Sequence, residues 1–67
     1  MNMKLKTEME THLSHLSDYL EDIGNDLANN YLEEVEYNLE NMQDEIKRFL
    51  KNVNNAINVE EEEENVG

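Results

Sequence analysis

The sequence predicts an all-α protein: an antiparallel two-helix hairpin that pairs with a second copy into a four-helix bundle and carries a disordered acidic C-terminal tail. Three observations lead there. Apolar residues recur at alternating spacings of three and four, which draws a narrow stripe along a helix and favours left-handed packing against another. Pro, Cys and Trp are absent and Gly occurs only twice, so little interrupts a helix and no disulfide can staple the fold. The net charge is −12 over 67 residues. Below about 70–80 residues one core rarely supplies more than a few kcal/mol, and like charges on a compact body repel. A chain this small and acidic is expected to fold with a partner, most simply itself.

Helix 1 is read over about 7–23. Met9, Leu13, Leu16, Leu20 and Ile23 form its stripe, and Thr7 with Glu10 three residues on has the form of a capping box. Gly24-Asn25-Asp26 breaks the stripe, with Gly24 as the left-handed terminator and Asn25 or Asp26 as the next cap. Helix 2 is read over about 27–58, on the stripe Ala28, Leu32, Val35, Leu39, Met42, Ile46, Phe49, Val53 and Ala56. A competing break at Asn29-Asn30 would start helix 2 at Tyr31. Folding about residue 25 or 26 sets Ile23 near Ala28, Leu16 near Val35 and Met9 near Met42, and Leu5 near Ile46 if helix 1 extends backward. Phe49, Leu50, Val53 and Ile57 then have nothing opposite them and are the expected dimer interface. The hairpin domain is thus 1–58. Residues 59–67, with Glu60 to Glu64 in a row, form the acidic tail.

Charge is sorted along the chain. Lys4 and Lys6 open it, residues 8–46 hold twelve carboxylates and no Lys or Arg, and Lys47, Arg48 and Lys51 follow. Soluble helices usually set Glu against Lys at i, i+4, and this body does without any such pair. Asp18, Glu21 and Asp22 also fall in the last turns of the predicted helix 1, where the macrodipole disfavours anions. Local rules broken without local compensation mark places to look for function. Glu33, Glu36, Glu40 and Asp44 step by three or four residues, a carboxylate every 4.5–6 Å or so of helix axis. One DNA strand presents a phosphate about every 3.4 Å. A protein that grips DNA through Lys and Arg could accept such rows instead.

On this acidic body the chain resembles the small, very acidic proteins that bacteriophages encode to occupy the DNA-binding surfaces of host proteins. The resemblance implies a non-enzymatic DNA mimic that inhibits a DNA-handling host protein, such as a sliding clamp, a nucleoid protein, a restriction complex or RNA polymerase. The partner would be basic, and the expected contact residues are Glu33, Glu36, Glu40, Asp44, Asp18, Glu21, Asp22 and Tyr37. Tyr37 is included as an aromatic anchor within a polar rim. A different class of function is a regulatory or scaffolding coiled-coil module that binds partner helices through the apolar end of helix 2.

Other chemistry is not expected. His12 and His15 are three apart, with Glu8 one turn before, but helix 2 has no His and the Glu-x-x-His unit of di-iron bundles is missing. Both histidines are read as flanking the core or exposed, and no metal site or cofactor is assigned. Asp18, Glu21, Asp22 and Asp26 lack the alternating ligands of a calcium loop. A two-helix rod offers no enclosed pocket in which two carboxylates could take separate acid and base roles. Tyr19 and Tyr31 are read as core-edge packing. Direct nucleic-acid binding is opposed by the charge. No apolar run reaches a membrane span and the start lacks a secretion signal, so a cytoplasmic protein is expected.

Overall fold

The computed structural model describes the backbone of residues 2–66 and the side chains of residues 2–59. Two helices, α1 (Met3–Ala28) and α2 (Leu32–Val66), pack against each other. There is no strand among the described residues. The shape is a rod of 56 × 16 × 12 Å. No described helix is long and apolar enough to cross a membrane.

α1 begins earlier than Thr7. Asn2 is extended (φ −77°, ψ 158°) and its side-chain oxygen accepts from the Leu5 N–H at 2.8 Å, satisfying one of the four free donors of a helix start. The Thr7–Glu10 capping box does not form. Thr7 lies inside the helix, where its carbonyl accepts from the Thr11 hydroxyl at 2.9 Å.

The turn is also displaced. Gly24 does not end α1; it sits within the helix, and its φ is not positive. The stripe Leu16, Leu20, Ile23 continues to Leu27, and the anchoring of buried Ile23 offsets the roughly 1 kcal/mol that Gly costs a helix relative to Ala. The terminator is Asn30, in the left-handed region at φ 62°. The Asn30 N–H donates to the Leu27 carbonyl at 3.1 Å and the Tyr31 N–H to the Asp26 carbonyl at 2.8 Å. These are the paired bonds of a Schellman motif, with Asn in the place usually held by Gly. The Tyr31 carbonyl then accepts from the Val35 N–H at 3.1 Å, opening α2. The break at Asn29-Asn30 is therefore the one used.

Moving the turn changes which residues face each other. His15 meets Glu45, His12 stacks on Phe49 with ring centroids 5.9 Å apart, and Asp26 meets Asn38. The expected pairings of Leu16 with Val35 and Met9 with Met42 give way to this register. Phe49, Leu50, Val53 and Ile57 are consequently not an unopposed overhang. Phe49 and Val53 are half-buried, and Ala56 is among the most buried residues. The macrodipole conflict is also smaller than expected, since the effect fades within the last turn and α1 runs on to Ala28, past Asp18, Glu21 and Asp22, with Asp26 the acid in that turn. Glu33 and Glu34 occupy the first turn of α2, where negative charge is favoured. α2 is helical past residue 58, to Val66; the acidic tail read over 59–67 lies, from residue 60 on, outside the residues whose side chains are described.

The turn position is testable by urea unfolding. Around Gly24 there is open space for an added methyl group, so Gly24→Ala should stabilise the protein by about 0.5–1 kcal/mol. Asn30→Ala should destabilise it by about 1 kcal/mol, because Ala lacks the short polar side chain that lets Asn tolerate the left-handed region. The opposite signs would return the turn to Gly24.

Candidate functional site

The hairpin has differently lined sides. Along the back of α2, away from α1, run Glu33, Glu36, Glu40 and Asp44, all exposed, and Asp18, Glu21 and Asp22 are exposed on α1. Tyr37 is 65% exposed beside the α2 row. Every residue expected to contact a partner thus reaches solvent. Among the described residues none of these carboxylates takes part in a salt bridge; those bridges all converge on Glu45.

One flank of the hairpin is apolar. Leu13, Leu20, Leu39, Ile46, Leu50 and Ile57 are all exposed. Each is seven residues from another member of the set, Leu13 from Leu20, Leu39 from Ile46 and Leu50 from Ile57, so each pair repeats on one line along its helix. Two open grooves meet at Phe49 on this flank. One is lined by Leu16, Ile46, Leu50 and Val53, the other by Met9 and Leu13 with Lys6 and Glu10 at its edge. The apolar surface is therefore wider than the four residues read as a dimer interface, and it includes residues of α1.

The opposite flank holds a polar node that the sequence reading missed. Glu45 is only 3% exposed, although it belongs to the acidic run. Its Oε1 is hydrogen-bonded to His15 Nδ1. Its Oε2 accepts from Arg48 Nε at 3.1 Å and Nη2 at 2.9 Å. His12 Nδ1 lies 3.4 Å from the same oxygen but makes no hydrogen bond and is buried. Helix spacing produces the cluster: His12 and His15 are i, i+3 on α1, and Arg48 is one turn beyond Glu45 on α2. A signal was available in the sequence, since Glu45 falls between Met42 and Phe49 at helical spacing.

Burial by itself would raise the Glu45 pKa, but the hydrogen bonds from His15 and Arg48, the nearness of His12 and the charge of His15 outweigh it, and the carboxyl is held below its ordinary value. At the tip, Glu34 is shifted upward because its carboxyl hydrogen-bonds to Asp26, whose charge also repels its own. Asp26 in turn accepts from Asn38 Nδ2 at 2.9 Å. The ligand atoms of His12, His15 and Glu45 all lie within 4.8 Å of one another, so this trio could hold a metal, whereas no metal residue was assigned from the sequence. No protein-family model matches this chain, and no curated protein or solved structure matches it.

The Glu45 node sets a pH dependence. A carboxyl whose folded pKa is lowered contributes stability that is present above its unfolded value and lost as pH falls through the folded one. Glu34, raised and fully exposed, acts with the opposite sign and is screened by solvent. Glu45→Gln in metal-free buffer should cost about 1–3 kcal/mol at neutral pH. The gap from the parent chain should close as pH drops through the acid range, read from urea midpoints at a series of pH values. Parallel curves for the two proteins would deny Glu45 this role.

Proposed function

We propose that this chain is a non-enzymatic DNA mimic that binds a basic, DNA-handling host protein and inhibits it by occupying its DNA-binding surface. The observation that carries the reading is the row Glu33, Glu36, Glu40 and Asp44. It is exposed along the back of α2 and free of salt bridges among the described residues. Residues 33 to 44 span about 16 Å at 1.5 Å per residue, enough to lie beside several phosphate-binding positions of a groove. The exposed carboxylates of α1 widen the same negative surface.

In this proposal the apolar flank is where two hairpins meet. Leu13, Leu20, Leu39, Ile46, Leu50 and Ile57 would be withdrawn from water in a four-helix bundle, each leucine or isoleucine contributing roughly 1.5–3 kcal/mol if fully buried. The acidic backs of the helices would remain outside. A second reading has a specific observation in its favour: the same flank suits partner helices of another protein, which would make the chain a regulatory or scaffolding module.

Two experiments separate the readings. Replacing Glu33, Glu36 and Glu40 by Gln and Asp44 by Asn should abolish salt-sensitive capture of a basic DNA-binding protein and its competition by duplex DNA. If capture persists unchanged, the mimic reading fails. Sedimentation equilibrium at micromolar concentration should give twice the monomer mass. Leu20→Gln with Leu50→Gln, both at exposed positions, should return it to a monomer with its helicity kept.

A further inference from the structure

We propose that His12, His15 and Glu45 form a binding site for a late first-row divalent cation, Zn²⁺ by ligand chemistry, that clips α1 to α2. The inference does not rest on the proposed partner: it stands on the geometry of His12, His15 and Glu45, none of which belongs to the row Glu33, Glu36, Glu40 and Asp44 or to the six exposed leucines and isoleucines of the apolar flank.

The donor set is the first argument. Two imidazoles and one carboxylate suit zinc, with a fourth position left for water or another ligand. Oxygen-only cations such as Mg²⁺ and Ca²⁺ do not favour it. Geometry is the second. With metal–ligand bonds of about 2.0–2.1 Å, the edges of a tetrahedron are roughly 3.3–3.4 Å; His12 Nδ1 and Glu45 Oε2 already stand 3.4 Å apart. All three ligand atoms lie within 4.8 Å of one another, so small rotations of the exposed His15 complete the set. The orphaned nitrogen is the third. His12 Nδ1 is buried, faces the carboxylate and has no hydrogen-bond partner, an arrangement that costs energy unless something occupies the space between them. A cation would accept the lone pairs of both.

The surroundings support the same assignment. The two Arg48 hydrogen bonds orient the Glu45 carboxylate from its own helix, the outer-partner role that metal sites usually contain. The stack of His12 on Phe49 holds that ring in place. His15 is 54% exposed and also lines an open groove with Asp18, Tyr19 and Asp22, which gives a cation a path from solvent through a field of negative charge. Glu45 lies thirty or more residues beyond the two histidines, so binding would tie together the two halves of a small chain that has no disulfide.

The test is a titration of the full chain with Zn²⁺ and, as a spectroscopic substitute, Co²⁺. Expected are one tight site per chain, imidazole ¹⁵N shifts that report Nδ1 coordination at both His12 and His15, and a thermal midpoint raised by at least about 5 °C. His15→Ala, at an exposed position, should retain helicity and weaken Zn²⁺ binding by at least about tenfold; Glu45→Gln should do the same as a second variant. The acidic tail is controlled by changing Glu60 through Glu64 to Gln, which should leave the tight site intact. Binding that is unaffected by His15→Ala, lost with the tail variant, or matched by Mg²⁺ overturns the proposal, as does the absence of Nδ1 shifts.

Discussion

The hairpin turns on the placement of one carboxylate. Among the residues whose side chains are described, Glu45 is the only charged one that is buried, and its two oxygens collect His15 from α1 and Arg48 from α2, with His12 alongside. Burying a carboxylate with too few partners is costly, and a slide of α1 past α2 by a turn would take His15 and His12 away from Glu45 and leave it with Arg48 of its own helix alone. Leucine seams alone tolerate such slips, because one heptad position resembles the next. The polar node therefore supplies register to a chain whose apolar contacts supply mainly attraction.

Around that node the chain segregates its surfaces. Ile23 and Ala56 are buried between the helices, the leucines and isoleucines that do not fit there line one flank, and the row Glu33, Glu36, Glu40 and Asp44 lies on the back of α2. The separation is a consequence of periodicity. In two helices with stripes wider than their mutual contact, the excess must emerge on a side, and in an antiparallel pair both excesses emerge on the same side. The exposed apolar flank and the exposed acidic rows are thus two outcomes of one pattern.

Much of this was legible in advance. Helical class, two-helix order and the exposure of Glu33, Glu36, Glu40 and Asp44 follow from spacing and charge alone. The turn was misplaced because Gly is the commonest left-handed residue, and Gly24 outweighed Asn30 in a reading by residue type. Leu27, which continues the stripe of α1, was the contrary signal. That shift of a few residues carried through to every cross-helix pairing, so Phe49 and Val53 became part of the helix contact instead of an overhang. The metal-ligating trio was not legible for the same reason: with the turn misplaced, Glu45 and His15 do not meet.

What local physics could decide was decided by the linear order of residues. The 3.6-residue repeat fixes which side chains share a face of one helix, and composition fixes that the body is acidic, whatever the helices pack against. Which residues of α1 face which of α2 required the tertiary structure, because register is a long-range choice set by the Asn30 turn and by the need to satisfy Glu45. The site at His12, His15 and Glu45 exists only once that choice is made; helix spacing brings the two histidines together, but Glu45 lies thirty or more residues beyond them across the turn, and no periodic pattern within either helix relates it to them.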